Sequence, residues 1–195
     1  MVLLVAVLAG ALLGILRAKI HKMPYQAVQI QHIWLVLAAY IPQFFIFFLP
    51  ATRSAIPDQW VSILFVLSQV LLLIFIWINR KIPGGWLMGV GLGLNFLAIV
   101  LNGGMMPLTP ENAQHLLPAG STVTLTLGER AGVSKDILLE KSATRLWFLG
   151  DVFLLPEWFN FPMAFSPGDV LLSLGAFWLF WELGNPRYQT NEVPA

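Results

Sequence analysis

Four side chains here are chemically versatile and sit where an otherwise apolar protein has no obvious need of them: His32, Asn95, Arg145 and Asp151. An imidazole such as His32 can ligate a haem or chlorophyll metal. The amide of Asn95 can hydrogen-bond a substrate or a neighbouring helix. Arg145 and Asp151 can contact a lipid headgroup or a quinone. Each has a plainer alternative. No second histidine stands at helical spacing from His32, and His21 and His115 fall in other segments, so an interfacial residue is the simpler reading and no metal site is expected. A buried amide in an apolar helix ordinarily bonds across to another helix for about 1 kcal/mol, the preferred reading of Asn95. Six residues of helix do not return to the same face, so Arg145 and Asp151 meet only across a bend, and a structural ion pair is expected of them. Together with Glu157 and His115 they are the only crowd a lipid or quinone enzyme could draw on. No catalytic residue is assigned.

The elements that must position these residues are apolar. Hydrophobic residues make up 57% of the 195, and charged ones 11%, against about 25% in an average soluble domain. Five apolar stretches begin near Val2, Ile33, Trp60, Trp86 and Val170. Each is about long enough for a hydrocarbon core of roughly 30 Å, and charges are scarce in them because an unpaired charge there costs several kcal/mol. The expected fold is an all-α integral membrane protein with about five transmembrane helices. Residues 1–101 hold four spans, at about 2–17, 30–49, 60–79 and 85–101. Residues 102–165 form a long extracytoplasmic loop region carrying short interfacial or re-entrant helices, 166–184 hold the fifth span, and 185–195 are a cytoplasmic tail.

Trp34, Trp60, Trp77, Trp86 and Trp181 fall near span ends, where amphipathic rings suit the headgroup layer. The first apolar run lacks the basic start of a signal peptide, its bases (Arg17, Lys19, Lys22) coming after it, and so it reads as a retained helix. Arg17, Lys19, Lys22, Arg80, Lys81 and Arg187 lie in short segments on one side, which the positive-inside rule makes cytoplasmic. The N-terminus is then outside and the C-terminus cytoplasmic. A net charge of +1 argues against a nucleic-acid partner. The absence of cysteine excludes disulfides and thiolate sites.

Small residues recur every four positions in the first span (Ala6, Gly10, Gly14, Ala18) and the fourth (Gly85, Gly89, Gly93), which predicts that these two helices pack on each other or on a partner. Pro42 predicts a kink in the second span. Thr109-Pro110-Glu111 predicts an N-cap and a short helix to about 117. Residues 122–127 alternate like a strand, 135–140 read as a second short helix, and 146–165 read as an interfacial or dipping stretch. Ser166-Pro167-Gly168-Asp169 carries the N-cap, first-turn proline and capping-box acid of the last span. Asn102-Gly103-Gly104 could form a nest of backbone N–H groups for an anion or lipid headgroup. A helix C-cap followed by a turn is the preferred reading.

In three places the chain resembles a known family of uncharacterised proteins: Asn102-Gly103-Gly104-Met105-Met106-Pro107, residues 144–151 (Thr-Arg-Leu-Trp-Phe-Leu-Gly-Asp), and Phe165-Ser166-Pro167-Gly168-Asp169. It looks like the small polytopic bacterial membrane proteins grouped as a domain of unknown function and frequent in Chloroflexota. That likeness marks Asn102, Gly103, Gly104, Met106 and Pro107 as a loop signature. It departs at 120–142, which is longer and more polar than the family pattern. It implies a fold and a bacterial inner membrane, but no activity.

The expected function is a non-catalytic accessory or scaffolding subunit of a larger membrane complex, such as a photosynthetic or respiratory one. Its partners would be other integral membrane proteins and lipids, or further copies of itself. No cofactor is assigned, though contact with a lipid, quinone or pigment fits the composition. The alternatives are a small transporter or channel, and a membrane enzyme acting on lipid or quinone.

Overall fold

The computed structural model describes residues 2–185 apart from 26–27, 54, 118–120, 122–123, 132–133, 157–158 and 160. The chain is mostly helical. Helix α1 (Val2–Ile20) ends in Arg17 and Lys19, whose charges suit a helix C-terminus. Helix α2 (Trp34–Gln43) runs on into a π-helical turn at Phe44–Phe48, just after Pro42. Lacking an N–H, the proline cannot complete the α ladder, and the wider turn takes up the mismatch. After the single turn α3 (Pro50–Arg53) come α4 (Asp58–Ile78) and α5 (Gly85–Leu101). The last long helix, α7 (Pro167–Glu182), begins in the expected capping box of Ser166 and Asp169. Among the described residues two helices, α1 and α4, are long and apolar enough to cross a membrane.

Between α5 and α7 the chain builds a cap of short elements. Strand β1 (Met106–Leu108) leads into α6 (Pro110–Leu116), whose Thr109 side chain accepts from Asn112 N–H as an N-cap. The segment expected to be helical at 135–140 is instead strand β2 (Asp136–Leu138), paired in parallel with β1 so that Met106 lies opposite Asp136 and Leu108 opposite Leu138. Burial of Leu108 and Leu138 against Ala113 outweighs local preference there. Of the strand expected at 122–127, residues 122–123 lie outside the described residues and 124–126 are irregular. The neighbour of β2 on its other side is 128–131, where Gly128 N–H donates to Leu138 and Arg130 bridges Ile137. Residues 146–165 contain a 3-10 turn (Trp147–Leu149) and a hairpin of β3 (Phe153–Leu154) with β4 (Ala164–Phe165).

The packing of the long helices differs from the sequence expectation. Helix α1 does not pair with α5; α7 lies between them. A side chain at Gly10 or Gly14 would run into the α7 backbone at Phe177 and Phe180, and Gly184 abuts Gly14. On the other flank, Gly84 and Gly91 meet Gly175 and Gly168. The contact face of α5 therefore passes through Gly84, Met88, Gly91 and Asn95, spaced four, three and four apart. The predicted row starts one residue, about 100°, off that face, and the drift of a four-residue spacing on a helix of 3.6 residues per turn carries it further round. Gly85 abuts its own preceding turn at Arg80, Gly89 touches Ile76 of α4, and Gly93 faces open space.

The two ends of the bundle are chemically distinct. At one, the Arg17 guanidinium lies 5.2 Å from the centre of the Trp181 ring, and that of Arg80 4.7 Å from Trp77. Asn79 and the backbone of Gln31 exchange two hydrogen bonds there, pinning the linker after α1. At the other end sits the cap, tied to α4 by an Arg130–Asp58 ion pair of 3.2 Å. Because α1 and α7 meet backbone to backbone, Gly14→Leu should lower stability by about 1–3 kcal/mol. Gly93→Leu should change it by less than about 0.5 kcal/mol. Denaturant unfolding of both variants in detergent micelles measures the contrast.

Candidate functional site

The turn that ends α5 fixes the geometry of the cap. The Asn102 side chain donates to the Ala98 carbonyl of its own helix and to the Arg145 carbonyl, while its oxygen accepts from Arg145 N–H. Gly103 and Gly104 take left-handed φ of 82° and 83°, and Gly104 N–H closes on the Ile99 carbonyl. The loop signature is thus a helix C-cap that also clamps a strand of chain 43 residues further on. It delivers Met106 and Pro107, both buried, into β1.

From that platform a charged cluster is assembled. Met106 N–H donates to the Lys135 carbonyl, which sets Lys135 and Asp136 at the head of β2. Asp151 N–H donates to the Pro107 carbonyl, and Asn112 of α6 donates to the Asp151 carbonyl. Both bonds hold the Asp151 carboxylate inside, with 2% of the residue exposed. The Lys135 ammonium donates to Asp151 Oδ2 at 2.6 Å and to Asp136 Oδ1 at 3.1 Å. Asp151 Oδ1, equally buried, accepts nothing among the described residues.

A fourth charge comes from α7. Asn95 on α5 donates to Asp169 Oδ1 at 2.8 Å and accepts from Ser166 Oγ at 2.7 Å. Asp169 Oδ2 accepts from Ser166 N–H, and Ser166 Oγ from Asp169 N–H. One amide thus joins two helices through a capping box. Gly168 leaves the space that Asn95 occupies.

Lys135, Asp136, Asp151 and Asp169 line one side of a cavity of about 660 Å³. The opposite walls are apolar: Val2 and Leu3 open α1, Phe47 and Phe48 come from the π-helical turn, and Phe165 and Leu172 flank the start of α7. Burial pushes the Asp151 carboxyl up; Lys135 opposes this, but Asp136 and Asp169 add to it, and the outcome is about 6. Burial pulls the Lys135 ammonium down, yet Asp136, Asp151 and Asp169 together outweigh it and hold Lys135 above its ordinary value. The lysine stays charged, and Asp151 titrates near neutrality.

A family of unknown function, DUF5317, matches residues 27–181. The chain belongs to that family. A relative, an uncharacterised protein of Thermotoga maritima, is 33% identical over 152 residues, covering 75% of this chain and 77% of its own. No solved structure matches. The DUF5317 match takes in the whole charged cluster and the turn that supports it, while all of α1 precedes it.

Set against the sequence expectations, the DUF5317 fold brings Asp151 to the cavity, ties Asn95 to the Asp169 that lines it, and leaves His32 and Arg145 elsewhere. The ion pair expected between Arg145 and Asp151 is absent: Lys135 takes the carboxylate, and the Arg145 backbone is held by Asn102. His32 is exposed, its Nδ1 accepting from Trp34 Nε1 at 3.3 Å. His115 lies in α6, and Glu157 is outside the described residues. Lys135, Asp136, Ser166 and Asp169 were not foreseen as site residues. The sequence did hold a signal for two of them. A mid-helix amide such as Asn95 must find a polar partner, and the capping box was the best-defined polar group near an apolar helix.

Unfolded, Asp151 has an ordinary carboxyl; folded, its value is raised. Its proton therefore favours folding, in full below about pH 4, and this contribution is lost as pH rises through about 6. Stability at about pH 8 should fall below that at about pH 5 by on the order of 2 kcal/mol. Asp151→Asn should flatten that slope in thermal unfolding followed by tryptophan fluorescence.

Proposed function

We propose that this chain is a multi-pass protein of the bacterial cytoplasmic membrane that holds a lipid-like molecule in the cavity, without transforming it. The observation that carries the reading is the pairing of an apolar chamber with a buried carboxylate oxygen that accepts no hydrogen bond among the described residues. A site that is mostly apolar with a few converging polar groups is the general form of a small-molecule pocket. Of Arg145, Asp151 and His115, the described residues that a lipid or quinone enzyme could draw on, Asp151 alone lines the cavity, which favours holding over chemistry.

Five crossing segments, with the N-terminus outside, fit the two ends of the bundle. The cation-bearing end carries Arg17, Arg80 and their tryptophans, as cytoplasmic ends do. The cap and chamber then face outward. Helix α1 and helix α4 have the length to cross; α2 with its π turn, α5 and α7 are shorter and would cross where the cap and the packed bundle shield their ends. The chain lacks cysteine, so single cysteines can report sidedness. Gly128→Cys should react with a membrane-impermeant maleimide in intact cells, and Lys81→Cys only after lysis.

A second reading, a non-catalytic subunit packing into a larger membrane complex, is favoured by the outward face of α5. Trp86, Val90 and Leu97 are exposed there around Gly93, which leaves room for another helix. One experiment addresses both. Purification from native membranes in mild detergent, with mass spectrometry of small molecules and proteins, should recover a bound amphiphile with the natural chain and lose most of it with Ala164→Trp, which fills the chamber. An empty natural chain with a stoichiometric protein partner would reverse the order of the two readings.

A further inference from the structure

Resting on the chamber reading, we infer that the polar end of the cavity receives an ammonium group, so that the ligand is an amphiphile with a protonated amine head and an apolar tail. The charges decide the sign. Three carboxylates, Asp136, Asp151 and Asp169, face one ammonium, Lys135, which already donates to two of them. Asp169 is satisfied by Asn95 and by the backbone of its own cap. The site is left with surplus negative charge and one buried acceptor, Asp151 Oδ1. A buried acceptor without a donor is costly, and a buried charge more so.

The surroundings decide the class. No group of three or more histidines or carboxylates able to hold a metal ion occurs among the described residues. An inorganic cation would therefore lack its ligand shell, whereas an organic ammonium needs only one or two acceptors. Phe47, Phe48 and Phe165 line the same space, and aromatic faces attract a desolvated cation. Val2, Leu3 and Leu172 offer the tail a hydrocarbon wall. A hydroxyl head would satisfy Oδ1 but leave the charge surplus, and a carboxylate head would add to it.

Three probes of equal chain length test the assignment on the full chain in non-ionic detergent: dodecylammonium, dodecanol and dodecanoate, titrated at about pH 7.5. Both heads can donate to the ionised carboxylate, but only the amine also offsets the surplus negative charge in a poorly solvated site, so it should bind about tenfold or more tighter than the alcohol. The carboxylate should bind weakest, and Asp151→Asn should erase most of the preference for the amine. Equal binding of amine and alcohol by the natural chain would overturn the ammonium head while leaving the chamber standing. Failure of every probe, or binding that Ala164→Trp does not reduce, would overturn the chamber and the ammonium site together. The comparison among probes uses the natural chain and does not depend on how Asp151→Asn folds.

Discussion

Helix α7 touches two neighbours backbone to backbone, and that close approach is the constraint on which the remainder rests. It requires glycine on both surfaces: Gly10 and Gly14 of α1 face α7 on one flank, while Gly168 and Gly175 of α7 face α5 on the other. Side chains such as Met88, Leu92, Ala176 and Leu179 pack around these glycines. What holds it is dense van der Waals contact, each atom pair worth about 0.1–0.2 kcal/mol but very many of them. The same proximity brings the Asn95 amide to the first turn of α7, where it meets Ser166 and Asp169. A wider spacing would leave those polar groups unsatisfied. Packing and polar pairing are therefore two results of one distance.

The cap uses a different physics. Its elements are too short to be stable alone: β1 and β2 have three residues each, and β3 and β4 two each. They persist because side chains and backbone carbonyls lock them to the bundle, through Asn102 to Arg145, Pro107 to Asp151 and Arg130 to Asp58. Irregular chain that is fastened at several points can hold a charged group inside, as a regular element in an apolar bundle could not. The buried lysine–aspartate pair is the product.

The long elements were legible because their signals are local. Apolar length, the proline of α2, and the caps at Thr109 and Ser166 each lie within a few residues of the structure they specify, and α5 spans Gly85–Leu101 as read. What the sequence hid is non-local. Lys135 reads as the start of a helix until β1, some thirty positions earlier, supplies a strand for β2 to join. Asp151 reads as a partner for Arg145 because six residues separate them, whereas its actual partner lies sixteen back. The glycine rows were visible, but which helix they serve depends on helical drift and on the order in which helices stack. Asn95 was the exception: a lone amide in an apolar helix announces a partner without naming it.

The helix that α1 and α5 share is made after both of them. While the ribosome is still adding the cap, the glycine faces of both earlier helices have nothing to close on, and Asn95 has neither Ser166 nor Asp169. Both seams, the polar tie and the α7 side of the chamber can therefore close only once α7 is present, whereas α2 with its π turn, α4 and α5 share a core that contains no residue of α7. A chain interrupted before Ser166 would keep its longest apolar helices and still lack the interior that makes them one body.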